Sequence, residues 1–568
     1  MRIFFSFILT FGFINYSFSQ SLDDKDFTQN KIPKEQVYVH VNSTLLFSGE
    51  KIHYKFYSLD SKSNTLSELS KVGWVSLIDS NRKEVFTHKL DLEHGQSYSD
   101  YFVPADLPSG LYKLLAYTTW MLNAKQNYFE QDVFIINPYK RTKENVFGEF
   151  KPQDSKTLSN KDLSSALSLK LGKKIYSTRE KVELNLKNTS KLSGDYSISV
   201  RKIEPLDKPR RIKSNESSSL YQNVNWDFSD TLILPEVRGP FFRGRVSSNS
   251  INNFQDTHLY IAFPGIESQM NILPLDSNGE FDFVLDSKIA VDQVLFQLPD
   301  NLKDDFSVQL FEELRPDYSN LIFDRKIDID KDAKDYILDK SINNQVENAY
   351  SILKADELVV SPDKGYFFQD ELINFNLDDY TRFKTVEETF IEVIKFGRIR
   401  KNKDQSYQIF VNNENYNGFF NLPALLIVDG VIVKDHSKLI PYEADKIKSI
   451  NLLTSKIFFG PEAFFGLVVV ETKDGDFPKE FMQPHIKSLD IASSQLQKNY
   501  YSPNYDVDNL TRIPDNRYQL WWNPNVSISA SKTFNFYTSD LLGKFEVILE
   551  GFTSEGDPVS LSETFVVE

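Results

Sequence analysis

NLPALLIVDGVIVKDHSKLIPYEADKIKSINLLTSKIFFGPEAFFGLVVVETKDG, residues Asn421 to Gly475, is the stretch whose reading decides the fold. Two apolar, β-branched runs, Ala424 to Val428 and Leu467 to Thr472, have the length and composition of buried strands. Asp429-Gly430 after the first run is a strong hairpin signal, because a two-residue turn of the primed type needs positive φ at both central positions. The polar-apolar alternation between the runs adds further strand character. Together these signals predict a small sheet closed by glycine turns.

The composition is that of an ordinary folded chain of several domains. Of 568 residues, 40% are hydrophobic and 26% charged, enough for about three to five domains with their own cores. With 46 Phe and 27 Tyr, and Gly and Pro spread throughout, strands and turns are favoured over helical bundles. A net charge of −15 argues against a general nucleic-acid binder. The short basic stretches Lys208 to Lys213 and Arg398 to Lys403 are expected to be solvated loops.

Met1-Arg2, the apolar run Ile3 to Ile14 and the small residues Ser17 and Ser19 form an export leader, with cleavage expected after Ser19. No later stretch approaches the length of a membrane-spanning helix. Cysteine is absent, which removes disulfides, thiol nucleophiles, Cys-ligated metals and a lipid-bearing Cys. Export without disulfides points to the bacterial envelope, and the expectation is a periplasmic protein peripherally associated with the outer membrane.

Six or seven strand signals between Gln36 and Pro138 predict an antiparallel β-sandwich over 36–138, with Ile52, Tyr54 and Phe56 sharing one face. A linker is expected from 139 to about 166. A second sandwich segment follows over 168–234, because Ile175-Tyr-Ser-Thr-Arg-Glu180-Lys-Val echoes Leu46-Phe-Ser-Gly-Glu50-Lys-Ile with one residue inserted, a weak internal repeat. Asp276-Ser-Asn-Gly279 supplies a turn inside a small β-domain over 235–312. Between 330 and 356, apolar residues such as Ala333, Tyr336, Ile337 and Leu353 recur at helical spacing, with Asp330 or Asp332 as cap. Thr385-Val-Glu-Glu388 is a capping box opening a helix in a domain that spans 377–480. A β-segment, 511–568, ends the chain, and its strands are candidates to pair with strands that precede the central domain. The fold class is therefore mainly β, tandem antiparallel sandwiches with an α+β insert.

Two resemblances rest on these residues. Pro423 to Val431, Asp445 to Leu453 and Phe459 to Thr472 are similar, in order, to the plug domain of TonB-dependent outer-membrane receptors. Such a receptor also needs on the order of twenty barrel strands, whereas 93 residues follow Gly475 (568 less 475). The resemblance thus implies a plug-like fold without its own barrel. Tyr38 to Lys55 with Leu107 to Met121 resembles the macroglobulin domains of exported Bacteroidota proteins, and the wording from Trp522 onward resembles the C-terminal piece of the same architecture. The reactive thioester of the α2-macroglobulin family requires a Cys, so its trapping chemistry does not carry over.

The sequence offers no catalytic constellation. The seven histidines, His40, His53, His88, His94, His258, His436 and His485, show no metal-binding spacing. His40 and His53 lie on adjacent predicted strands without a carboxylate. Asp328-Ile-Asp330-Lys-Asp332 opens like a calcium loop, but Ala333 occupies the position of the glycine that the loop's sharp turn needs. No catalytic, cofactor or metal residue is expected. The leading reading is a non-catalytic interaction protein whose plug-like module engages an outer-membrane barrel, a translocon or an exported polypeptide. The alternatives are a macroglobulin-related, protease-interacting protein and a cell-surface structural or cargo protein. Candidate partner-binding residues are the turn and loop tips Asp429, Gly430, Asp435, His436, Phe458, Phe459 and Phe464, because exposed loops on a rigid scaffold carry binding more often than strand cores. The competing reading makes Asp429-Gly430 a simple turn and the Phe residues core.

Overall fold

The computed structural model describes residues 32–140, 167–189, 193–228, 232–251, 253–263, 269–285, 293–299, 306–326, 331–359, 371–413, 418–480, 486–507 and 512–568. The expected leader, nearly all of the linker, His485, Asp328 and Asp330 lie outside them. The described chain is mainly β, and no helix among the described residues is long and apolar enough to cross a membrane.

The first sandwich runs through β1 (Glu35–Val41), β2 (Leu45–Phe47), β3 (Lys51–Asp60), β4 (Val72–Ile78), β5 (Glu84–Asp91), β6 (Gln96–Phe102), β7 (Gly110–Tyr117) and β8 (Phe129–Ile136). One sheet has the order β1-β3-β6 and the other β2-β8-β7-β4-β5. Ile52, Tyr54 and Phe56 point into the core between them, as the alternation predicts. The opposite face of β1 and β3 is polar in sequence yet also buried, because the second sandwich covers it. There His40 Nδ1 lies 2.7 Å from Ser197 Oγ, and Lys55 Nζ donates to Asn525 at 3.1 Å. Burial lowers the Lys55 pKa to about 7.

The second sandwich opens with β9 (Leu167–Leu171), β10 (Ile175–Tyr176), β11 (Lys181–Asn188) and β12 (Gly194–Lys202). On β11, Val182, Leu184 and Leu186 are buried while Glu183 is not. The chain then leaves this sandwich. Lys208 to Lys213, expected as a solvated loop, instead packs against both the first and the second sandwich. Thr44 Oγ1 donates to Pro209 O at 2.5 Å, Ile212 N–H donates to Gln131 at 2.8 Å, and Arg211 lies 3.3 Å from the fully buried Glu550.

A third sandwich comprises β13 (Phe241–Ser247), β14 (His258–Phe263), β15 (Gln269–Pro274), β16 (Glu280–Val284), β17 (Gln293–Gln297) and β18 (Ser307–Leu310). The predicted turn after Asp276 is present, with Asp276 Oδ1 accepting from the N–H groups of Asn278 and Glu280. Helix α1 (Lys331–Ala349) follows, as the spacing predicts, and buries Ala333, Lys340 and Asn344.

After the two-residue β19 (Glu357–Leu358) comes the central module: β20 (Ile373–Asn376), α2 (Val386–Glu392), β21 (Gly397–Lys401), β22 (Tyr407–Val411), β23 (Leu425–Val428), β24 (Val431–Ile432), β25 (Ile447–Phe459), β26 (Glu462–Thr472) and α3 (Phe477–Glu480). Its sheet has the order β20-β25-β26-β23-β24, with β23 and β26 parallel. The predicted capping box is formed, since Thr385 Oγ1 accepts from Glu388 N–H at 3.2 Å and the Glu388 carboxylate from Thr385 N–H at 3.3 Å.

β27 (Lys487–Asp490) returns to the third sandwich, pairing with β17. β28 (Lys498–Asn499) pairs with β19. The last strands, β29 (Gln519–Ile528), β30 (Lys532–Tyr537), β31 (Gly543–Thr553) and β32 (Pro558–Val567), complete the second sandwich as sheets β10-β32-β31-β12-β29 and β30-β11-β9. This order repeats that of the first sandwich strand for strand: β2 pairs parallel with β8, and β10 pairs parallel with β32. The sequence echo lies in the matching turns, where Glu50 accepts from Phe47 N–H at 2.8 Å and Glu180 from Ser177 N–H at 2.7 Å. In the first sandwich β4 and β5 form a hairpin across residues 79–83. In the second, the equivalent β12 and β29 are separated by residues 203–518, so the third sandwich, α1 and the central module are all inserted in one hairpin connection.

Candidate interaction surface

The central sheet is apolar on both faces. On one, Leu426, Val428, Ile450, Val468 and Val470 pack against α2 and the β21–β22 hairpin. On the other, Leu425, Ile427, Leu453, Leu467 and Val469 pack against Tyr260, Met270 and Ile272 of the third sandwich. Two residues expected to meet a partner, Phe459 and Phe464, pack partly against this second contact. The long β25–β26 hairpin reaches the third sandwich with its tip, where Glu462 accepts from Tyr260 OH at 2.6 Å and lies 2.9 Å from His258 Nδ1. Gly460 (φ +58°) approaches so closely that a Cβ there would lie 2.5 Å from Ile272 O.

The predicted tips separate accordingly. Asp429 (φ +46°) and Gly430 (φ +78°) form the expected primed hairpin turn, but Asp429 is only 6% exposed. Its carboxylate accepts from Thr472 N–H at 2.8 Å, Thr472 Oγ1 at 2.7 Å and Phe477 N–H at 3.2 Å. Burial raises its pKa against the pull of these donors. His436 is buried too, and its Nδ1 accepts from Ile409 N–H at 2.9 Å. Burial lowers the His436 pKa to about 4, so the ring is neutral, as that acceptor role requires. Neither Asp429 nor His436 is an exposed tip, because each satisfies backbone N–H groups inside the module. Asp435 is exposed and caps Ser437 N–H at 3.1 Å. Phe459 and Phe464 pack partly against the core shared with the third sandwich, whereas Phe458 is 70% exposed.

What the module turns outward is the β21–β22 hairpin, which sequence reasoning passed over as a solvated basic loop. Arg398 lies 4.0 Å from the ring centroid of Phe419 and Arg400 4.6 Å from that of Phe410. Desolvation, then the neighbouring Arg400, lowers the Arg398 pKa. The signal available in sequence was the alternation of Arg398 and Arg400 about Ile399, which is a strand pattern.

His40 and His53 are buried between the first two sandwiches. His40 and His53 flank Trp522, with ring centroids 5.2 and 5.8 Å away. No group of three His, Asp or Glu side chains among the described residues is placed to hold a metal.

No protein-family model and no curated protein matches the chain. Similar solved structures include Salmonella alpha-2-macroglobulin reacted with methylamine, at 9% identity over 94% of this chain and 39% of that one, with a TM-score of 0.24. Escherichia coli alpha-2-macroglobulin activated by porcine elastase is similar at 8% identity over 94% of this chain and 44% of that one, TM-score 0.24. The E. coli adhesin FdeC is similar at 12% identity over 48% of this chain and 62% of that one, TM-score 0.14. The chain spans about two-fifths of the length of the macroglobulins it matches. These scores lie below the level at which a shared arrangement of domains follows, so the functional reading rests on the chain's own residues.

Proposed function

We propose that the chain is a non-catalytic interaction protein of a bacterial envelope, exported by its N-terminal leader and held at the periplasmic side of the outer membrane by a protein partner. The central module, residues 373–480, is the element that engages an outer-membrane barrel, a translocon or a passing polypeptide. One observation supports this reading above others: the module is presented on an insertion in a sandwich hairpin, anchored on the third sandwich by one sheet face, with a cationic, aromatic hairpin directed outward. The paired sandwiches act as a rigid mount. The plug-like pattern of Pro423 to Thr472 makes a membrane barrel the natural partner class.

Capture from detergent-solubilised envelopes tests it. The intact chain is expected to retain an outer-membrane barrel protein, and a variant with residues 371–486 replaced by a Gly/Ser linker is expected to lose it while keeping the paired sandwiches folded. Recovery of the chain solely from the culture medium, with no membrane protein bound, would sink the proposal.

A further inference from the structure

The outer edge of β21 is open. Asn412 N–H donates to Phe396 O and Asn402 N–H to Ser406 O, both at 2.8 Å, so the even-numbered residues of β21 exchange hydrogen bonds with β22. The N–H and C=O groups of Ile399 and Lys401 therefore point to the other side, and no described residue pairs with them there. β22 differs. Four of its outward groups are engaged: Tyr407 N–H by Ser437 Oγ at 2.8 Å, Ile409 N–H by His436, Ile409 O by Ala424 N–H at 2.9 Å and Val411 O by Phe420 N–H at 3.0 Å. One edge of the hairpin is sealed by the module and the other is left for something else.

Charge decides what that is. Lys395, Arg398, Arg400, Lys401 and Lys403 stand within nine residues that contain no acid. None of the five has an ion-pair partner among the described residues, although the chain carries 80 acidic residues against 65 basic ones. The two guanidinium groups rest on Phe419 and Phe410, which holds them in place, and the buried Nε of Arg398 has no hydrogen-bond partner among the described residues. A lone basic edge can serve simply to repel other strands. Here the arginines are ordered on aromatic rings, beside main-chain groups spaced to pair with an added strand.

We propose that the outer edge of β21 binds an extended acidic polypeptide segment, which adds as a strand to Ile399 and Lys401 while its carboxylates meet Arg398 and Arg400. This rests on the reading of the chain as an interaction protein and names the chemistry of one partner. The probe is a fluorescent peptide of about ten residues alternating Glu and Val, titrated against the full chain. Saturable binding is expected. Arg398→Glu with Arg400→Glu should weaken it by at least about tenfold.

Lys401→Pro removes the outward N–H at a position where an edge strand tolerates proline, and should abolish binding, whereas Lys401→Ala should cost at most about threefold. Equal binding by the proline and alanine variants would overturn strand addition. No binding at all, or equal affinity for a single-stranded oligonucleotide or anionic vesicles, would overturn the acidic-peptide assignment. Unchanged thermal unfolding of the variants confirms that each effect is local. Capture of a membrane barrel through other surfaces of the module can succeed even where the peptide fails, so the two proposals stand or fall separately.

Discussion

Asp429 stands in a hairpin turn, yet its carboxylate is buried and closes three hydrogen bonds, two from Thr472 at the end of β26 and one from Phe477 of α3. Asp429→Ala leaves two buried N–H groups unsatisfied and puts alanine at positive φ; it should cost about 3 kcal/mol in urea unfolding. His436 poses the converse problem, since it must stay neutral to accept from Ile409. Burial holds His53, His88 and His436 at about 4, below the ordinary histidine value. A base whose pKa falls on folding binds protons more readily in the unfolded chain, so its contribution is intact above pH 6.5 and is lost as pH falls toward 4. Each histidine can remove up to about 3 kcal/mol over that window. Denaturation curves between pH 7 and pH 4 should show this loss, and His436→Gln should flatten its share of the slope.

At the scale of elements, the β25–β26 hairpin couples the central module to the third sandwich through a glycine that nothing larger can replace. Gly460→Val sets a branched side chain at φ +58° against Ile272 O, and should detach the tip at a cost of about 2 kcal/mol or more. Faster hydrogen exchange in β14 and β15, with α2 and β22 unchanged, is the expected signature. The hairpin also shows where sequence reading succeeds. The alternation in Ile447 to Phe459 and the Asp429-Gly430 turn are local patterns, and local patterns were legible. Which sheet face meets another domain was not, because both faces carry Leu, Ile and Val and nothing local separates core from interface. The strand in Arg398 to Lys401 was missed because its charges outweighed the two-residue period about Ile399.

Across the whole molecule, four buried charges tie the parts together. Arg201 of β12 bonds Glu50 of the first sandwich at 2.7 Å and Glu204 at 2.9 Å, and Lys340 of α1 reaches the same two carboxylates at 3.1 and 2.6 Å. Burial opposes the ionised form of Glu50, but Arg201 and Lys340 hold its carboxyl below the usual range. The four charges balance, so Lys340→Met should cost about 3–5 kcal/mol by leaving a buried carboxylate uncompensated. Adding Glu204→Gln should restore part of that loss, and a double-mutant cycle read by thermal unfolding measures the coupling. Nothing in the sequence marks Lys340 as buried, since its partners lie far away in the chain. The repeat of Leu46 to Ile52 at Ile175 to Val182 was visible, and the two stretches occupy matching turns in sheets of the same strand order. Its consequence, that the second is closed only by Gln519–Val567, depends on long-range pairing that no local pattern records.

That split sandwich also sets an order of events during synthesis. The first sandwich is complete once β8 has emerged, and it can fold while the remainder is still being made. The second cannot: β12 waits for β29 and β31, and β10 for β32, until the chain has been made through Val567. Until then the polar face of β1 and β3, with His40, His53 and Lys55, has no cover. A product terminated before β29 thus carries an unfinished seam on its N-terminal half, with buried polar groups left open to water.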